Sequence, residues 1–236
     1  MIKVKVNDVS WQMPERFTID EWIALQQWDV TAPSHYPWII SSISQFDAED
    51  LKTAPEESLQ LFMGFIIGAM NKRTPKAIPN FNKINFGQFV DLDCFVAIGV
   101  EKHIKDMMAV LEYETPWADE ALACMDQFIM WRNTIYKQYA QLFGLDHKME
   151  PVESDTPWDP KEVSRGWYNI IVDLAGEDIL KMDQITEEPL QKVLTFLQIK
   201  KEKAIKEAQE TRKIKQTQRW HIKTSSTDSD LLHRTT

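Results

Sequence analysis

His103 and Asp106, three residues apart with Glu101 just upstream, are the nearest this sequence comes to a metal-binding or acid–base constellation. On a helix that spacing puts the imidazole and the carboxylate on one face. A metal site on a helical scaffold asks for more: a Glu-x-x-His or His-Glu-x-x-His run that brings several ligands to one point, and neither occurs. The cluster therefore reads as a solvated charged face. Asp91 and Asp93 are two residues apart, so on a helix they point away from one another and make poor paired acids. No Gly-x-Ser-x-Gly elbow is present, and neither Cys94 nor Cys124 has a histidine close by in sequence, although a triad assembled in space stays open. Seven glycines with no glycine-rich stretch argue against a phosphate cradle or a Rossmann turn. The expectation is a chain that is not an enzyme, with no catalytic residues, cofactor, metal or small-molecule substrate.

Charge, in contrast, is sharply organised. Leu190, Val193, Leu194 and Leu197 recur at helical spacing, and then Lys200, Lys201, Lys203, Lys206, Arg212, Lys213, Lys215, Arg219 and Lys223 take over. Those nine cations face only Glu202, Glu207 and Glu210, a surplus of six positive charges over residues 200–223. The chain as a whole carries −9, and residues 224–236 carry −1, so residues 1–199 hold about −14. A helix that outgrows its core needs a partner or it frays. Leu190, Leu194 and Leu197 are expected to anchor that contact, with Lys200, Lys203, Lys206, Arg212 and Lys213 supplying charge. Phosphate neutralisation on nucleic acid is an alternative, but the segment offers Trp220 as its single aromatic and follows an acidic body that would repel a duplex. An acidic protein surface is the more economical partner, because the charge sits on one arm that can steer encounter.

The elements that position these residues are mostly helical. Ile2, Val4 and Val6 alternate with lysines, Asn7-Asp8 supplies turn chemistry, and Val9, Trp11 and Met13 alternate again, which predicts a short N-terminal hairpin. Thr18-Ile-Asp-Glu21 is a capping box opening a helix through Trp22 and Leu25. Tyr36, Ile39, Ile40 and Ile43 mark a second helix, and Leu59, Phe62, Met63, Ile66, Ile67 and Met70 a third. Residues 71–83, with Pro75 and Pro79, form a loop. Helix restarts at Asn85, continues through Val100, Ile104, Met107, Met108 and Leu111, and a longer one runs from Leu122 to Phe143 before Gly144. Met63, Met70, Met107 and Met108 at this spacing are core. Asp159-Pro-Lys-Glu162 starts a further helix through Trp167, Ile170, Ile171 and Leu174, ended by Gly176.

Residues 145–158 are rich in Asp, Glu and Pro with no apolar period, and the chain is divided there: a hairpin and helical body over 1–145, a linker over 146–158, a helical hairpin over 159–223 made of 159–176 and 186–215, and a disordered polar tail over 224–236. Two cysteines beside apolar residues suit reduced, buried thiols, and nine tryptophans and eleven phenylalanines suit a large core with some aromatic surface to spare. The N-terminus alternates and lacks the apolar run of a signal peptide, and the longest apolar run, 61–70, is far short of a bilayer span, so a cytoplasmic location without membrane contact is expected.

The Phe86-Gly-Gln-Phe-Val-Asp-Leu-Asp93 segment, followed about twenty residues on by Met107-Met-Ala-Val-Leu-Glu-Tyr113, carries a resemblance. The order of N-terminal hairpin, capped Thr-Ile-Asp-Glu-Trp helix, this segment and a Trp-Tyr-Asn-Ile-Ile-Val helix resembles tail assembly chaperones and baseplate-hub assembly proteins of large tailed bacteriophages, over most of residues 1–205. The resemblance implies a non-enzymatic virion-assembly factor in the host cytoplasm that holds tail or baseplate proteins until they polymerise or dock. It carries over no catalytic residues, and the basic end beyond about Lys206 has no counterpart in the family pattern. A minor structural protein of the neck or baseplate shares this composition and is the main alternative. The expected fold is mainly α: an N-terminal β-hairpin packed on a multi-helix body, and a C-terminal helical hairpin ending in a long basic helix.

Overall fold

The structure is a computed structural model that describes residues 3–6, 9–76, 78–144 and 159–232. Two short strands, β1 (Lys3–Val6) and β2 (Val9–Gln12), pair antiparallel with Lys3 opposite Gln12 and Val6 opposite Val9. The Asn7-Asp8 turn lies outside the described residues, as does the 146–158 linker. Everything else of regular structure is helical: α1 (Ile19–Gln26), α2 (Tyr36–Ile43), α3 (Ala48–Lys52), α4 (Glu56–Met70), α5 (Phe86–Ile98), α6 (Val100–Val110), α7 (Ala118–Gln138), α8 (Pro160–Ala175), α9 (Ile179–Thr186) and α10 (Leu190–Leu232). Packing separates the chain into two units, one of residues 1–135 and 152–190, the other of residues 136–151 and 191–236. The boundary thus falls within α7 and just after the first residue of α10.

Local chemistry explains where the helices of the first unit begin and end. The Thr18 hydroxyl accepts the Glu21 amide at 3.2 Å while the Glu21 carboxylate accepts the Thr18 amide at 2.8 Å, so two otherwise unpaired donors are satisfied reciprocally. The chain entering α1 is fixed by a bridge to the chain entering α7: Ile19 N–H donates to Pro116 O and Ala118 N–H to Phe17 O, both at 2.9 Å. Asn85 and Gln88 form a second capping box at the start of α5. Gly99, at φ +127, turns α5 into α6, and α6 ends on Glu112 at φ +51, a left-handed position most side chains resist. Asp159 caps α8 through the Lys161 amide, Pro160 occupies its first turn, and Gly176 ends it in the left-handed conformation.

The core of this unit forms around α5, which packs on α6, α8 and α9. Phe86, Phe89 and Leu92 are fully buried. Phe86 and Phe89 both meet the Trp167 ring edge to face, at 5.7 and 5.8 Å, and Phe89 meets Trp131 at 6.0 Å. Burying each such ring contributes about 1.5–3 kcal/mol, and the edge-to-face geometry about 0.5–1.5 kcal/mol more. A second cluster joins α2, α3 and α4 through Ile39, Ile40, Leu51, Phe62, Met63 and Ile66. The four methionines expected in the core, Met63, Met70, Met107 and Met108, are buried.

Within the first unit α8 packs on α5 and on α9, the helix that follows it. The reason lies in the link between them. Gly176 and Glu177 are both left-handed, at φ +62 and +63, and the Glu177 amide reaches the Val172 carbonyl. That turn launches α9, capped by Asp178, onto α8. The extent of α10 is also greater than composition suggests, since the helix continues through 224–232; residues 233–236 lie outside the described residues.

Gly87, inside the segment that carries the family resemblance, has a packing reason to be glycine. A Cβ there would stand 2.9 Å from Thr186 Cβ and 3.2 Å from the Thr186 carbonyl, because α5 and the end of α9 approach backbone to backbone. The same approach lets Phe86 N–H donate to Glu188 O at 2.8 Å. Gly87→Ala should therefore cost about 1–3 kcal/mol by forcing the two elements apart. Urea unfolding of the two proteins measures it, and equal midpoints would show that the approach can open freely.

Candidate functional site

The residues with chemical potential in the first unit are engaged with one another. Arg16 donates to Asp119 at 2.7 and 2.9 Å and to Glu120 at 2.7 Å, while Glu120 also accepts from the Thr115 hydroxyl and from Lys76. Burial alone would raise both carboxyls, yet the surrounding donors and cations together outweigh it, Arg16 with Thr74 and Lys72 for Asp119 and Arg16 with Thr115 and Lys76 for Glu120, and hold both below their ordinary values. Asp93 is fully buried and bonded to Arg132 and Trp167, whereas Asp91, two residues away, is exposed, in keeping with their opposed helical positions. His103 contacts Asp106 at 3.0 Å and stacks on Phe95 at a kink in α6. Burial pushes the Cys94 thiol up to about 11 and the Cys124 thiol up to about 12, which keeps both protonated and poorly nucleophilic at neutral pH.

Two hollows lie near these residues. A groove of about 1230 Å³ between the start of α1 and the end of α6 is lined by Asp20, Lys105, Met108, Glu112, Tyr113 and Glu114, among others, and Lys105 is already paired with Asp20 across it. A smaller cleft of about 320 Å³ lies beside Asn85, Gly87, Asp91 and Glu187. Among the described residues no group of three His, Cys, Asp or Glu side chains is placed to hold a metal ion, and no helix is long and apolar enough to cross a membrane.

The distinctive surface belongs to the second unit. Its base is the end of α7 and the turn after it: Tyr136 and Phe143 rings lie 4.2 Å apart, and the buried Tyr139 meets the Thr195 hydroxyl through its own at 3.2 Å. Lys201 donates to the Gln141 and Leu142 carbonyls at 2.6 and 3.0 Å, a cation placed on backbone acceptors where helix gives way to turn. One lysine of the basic run is thus structural. From Lys203 to Lys215 only Ile205 is even half-buried; every other side chain is exposed.

The structure divides the expected contact residues. Leu190, Leu194 and Leu197 are 3, 0 and 7% exposed, so they are core and not partner anchors. Their spacing with Val193 makes one buried stripe, and a stripe that buries itself at home has nothing left to offer outside. Lys200, Lys203, Lys206, Arg212 and Lys213 are exposed, as the charge pattern requires. Sequence reasoning missed Phe196, Ile199 and Ile214, which are 57, 60 and 58% exposed. The signal was available: Phe196 and Ile199 fall off the leucine stripe when the helix is drawn at about 100° per residue. The surface is therefore a helix bearing three outward apolar side chains among cations and a few glutamates, suited to contact with another macromolecule. Comparison of the chain with protein-family models, with curated proteins and with solved structures found no match.

Two outcomes follow. Leu194→Ala in the isolated protein should cost about 2–5 kcal/mol in chemical denaturation, whereas Lys206→Glu should change stability by no more than about 0.5 kcal/mol; a silent Leu194→Ala would return that residue to the surface. For the acidic cluster the sign is set by the lowered carboxyls: their stabilisation is present above the ordinary values of 3.8 and 4.5 and is lost as pH falls through and below them. Arg16→Met should destabilise by about 3–5 kcal/mol at pH 7 and flatten the acid limb of a urea midpoint against pH profile. An acid limb as steep as that of the wild type would mean other carboxylates set it.

Proposed function

We propose that this chain is a non-catalytic assembly factor of a large tailed bacteriophage, acting in the host cytoplasm to bind tail or baseplate proteins during virion morphogenesis, with α10 as the contact element. The observation that carries the reading is the exposed run from Lys203 to Lys215, with Ile205 alone half-buried, where apolar and cationic side chains share a helix attached to a chain that is otherwise strongly acidic. A client with an acidic, partly apolar surface is attracted to the helix and repelled by the remainder, which sets where it lands. The sequence resemblance over most of residues 1–205 supports the biological setting, and the paired state of the buried carboxylates supports a binding role over a catalytic one.

Within α10 the client contact is assigned to Ile199, Lys206, Arg212 and Lys213. Ile199, Lys206 and Lys213 recur every seven residues and so share one side of the helix. A virion-retained minor protein and a nucleic-acid-binding protein are the rival readings, the second drawing on the same cationic surplus. Affinity capture from phage-infected cells decides among the three, using the full chain and a K206E/R212E/K213E variant. Tail or baseplate proteins should be captured by the first and fall about tenfold or more with the second, and mass spectrometry should find the chain depleted from purified virions. Undiminished capture by the variant, abundant chain in finished particles, or salt-sensitive DNA in place of protein would each end the proposal.

A further inference from the structure

One face of α10 is complementary to itself. Phe196, Lys200, Lys203, Glu207, Glu210 and Ile214 follow one another at intervals of four, three, four, three and four residues. At about 100° per residue this places all six within an arc of about 80°, a single stripe about 27 Å long. All six are exposed. Read from either end the order is apolar, two charges, two charges, apolar, and the charges invert at the middle: two lysines on one side of residue 205, two glutamates on the other.

We infer that this stripe is the contact by which two copies of the chain pair through α10, antiparallel about a two-fold axis at residue 205. In that arrangement each residue meets the one equally far on the other side of residue 205. Phe196 meets Ile214 of the second copy, Lys200 meets Glu210, Lys203 meets Glu207, and the symmetry repeats each contact. A two-fold interface requires such a self-complementary patch. Four opposite-charge contacts lie between two apolar pairs, and Ile199 covers the edge of one end. The parallel arrangement would set Lys200 and Lys203 against themselves and Glu207 and Glu210 against themselves, so charge selects the antiparallel one.

Two further observations fit an external partner for this stripe. Inside one copy Lys203 reaches Glu207 only at 3.9 Å, with the two side chains 78 and 65% exposed, a weak internal pair that a second helix can replace. The buried stripe of Leu190, Leu194 and Leu197 lies on another side of the helix, so the pairing leaves each copy's own packing intact. The interface is short by the standard of about 1,600 Å² for stable complexes and its polar part is charged, so a weak, salt-sensitive dimer is expected. The stripe shares none of the cations of the proposed client contact, Lys206, Arg212 and Lys213, and only Ile199 borders both.

Sedimentation equilibrium on the full chain, from about 1 to 500 µM at low salt, tests it. A monomer–dimer equilibrium is expected, weakening about tenfold between roughly 0.05 and 0.5 M salt. Lys200→Glu/Lys203→Glu makes the stripe wholly acidic and Glu207→Lys/Glu210→Lys makes it wholly basic, so each variant alone should be monomeric, with far-UV circular dichroism confirming its helical content. Mixed in equal amounts they should form a one-to-one heterodimer visible by native mass spectrometry. Phe196→Ser/Ile214→Ser should weaken self-association about tenfold or more. A wild-type chain that stays monomeric throughout, a dimer that both charge variants retain, or a mixture that does not associate would overturn the inference.

Discussion

A carboxylate with no surface in contact with water must find its charge compensation inside the protein, and Asp93 is such a group. It is met by the Arg132 guanidinium from α7 and, at 2.7 Å, by the Trp167 indole N–H from α8. Two helices distant in sequence are thereby fixed to one point on α5. The same Trp167 ring lies edge to face against Phe86 and Phe89, so apolar packing and charge compensation share one side chain. Neither can relax without disturbing the other, and this coupling makes α5 the centre of the first unit.

Much of this architecture follows from patterns short enough to recognise in the sequence. The Thr18–Glu21 capping box, the α4 stripe, the proline-led start of α8 at Asp159 and its stop at Gly176 are all set by neighbours within a turn or two. Asp93 was legible only in part. Its spacing from Asp91 shows that the two face apart, but nothing local shows that its partners stand at 132 and 167, since long-range pairs leave no periodic trace. Arg16 with Asp119 and Glu120 is hidden for the same reason. The turn at Gly176 and Glu177 sets α9 against α8. A left-handed glycine announces the end of a helix, but it does not say which neighbour the chain will fold against.

The terminal helix shows how composition and geometry separate. Its change from leucines to lysines is plain in the sequence and correctly marks where burial gives way to exposure. Assigning the leucines to a partner overlooked that the shortest route to burying an apolar stripe is within the chain itself. The exposed apolar side chains, Phe196, Ile199 and Ile214, are too few to form a stripe of their own, and in the sequence they show only as apolar residues lying off the leucine stripe. Lys201 illustrates the converse: indistinguishable in sequence from its basic neighbours, it spends its charge on the Gln141 and Leu142 carbonyls.

The pairing of Phe86 with Glu188 has a consequence for how the protein is made. At roughly 5–20 residues per second the ribosome takes several seconds to add the hundred or so residues that separate them. Over most of that interval the nascent chain already contains the aromatic face of α5 and the Asp93 carboxylate, but not yet Trp167 or the segment that closes over Gly87. The first unit therefore completes its centre after translation has passed Glu188, and until then the apolar face of α5 is open to whatever waits at the exit tunnel.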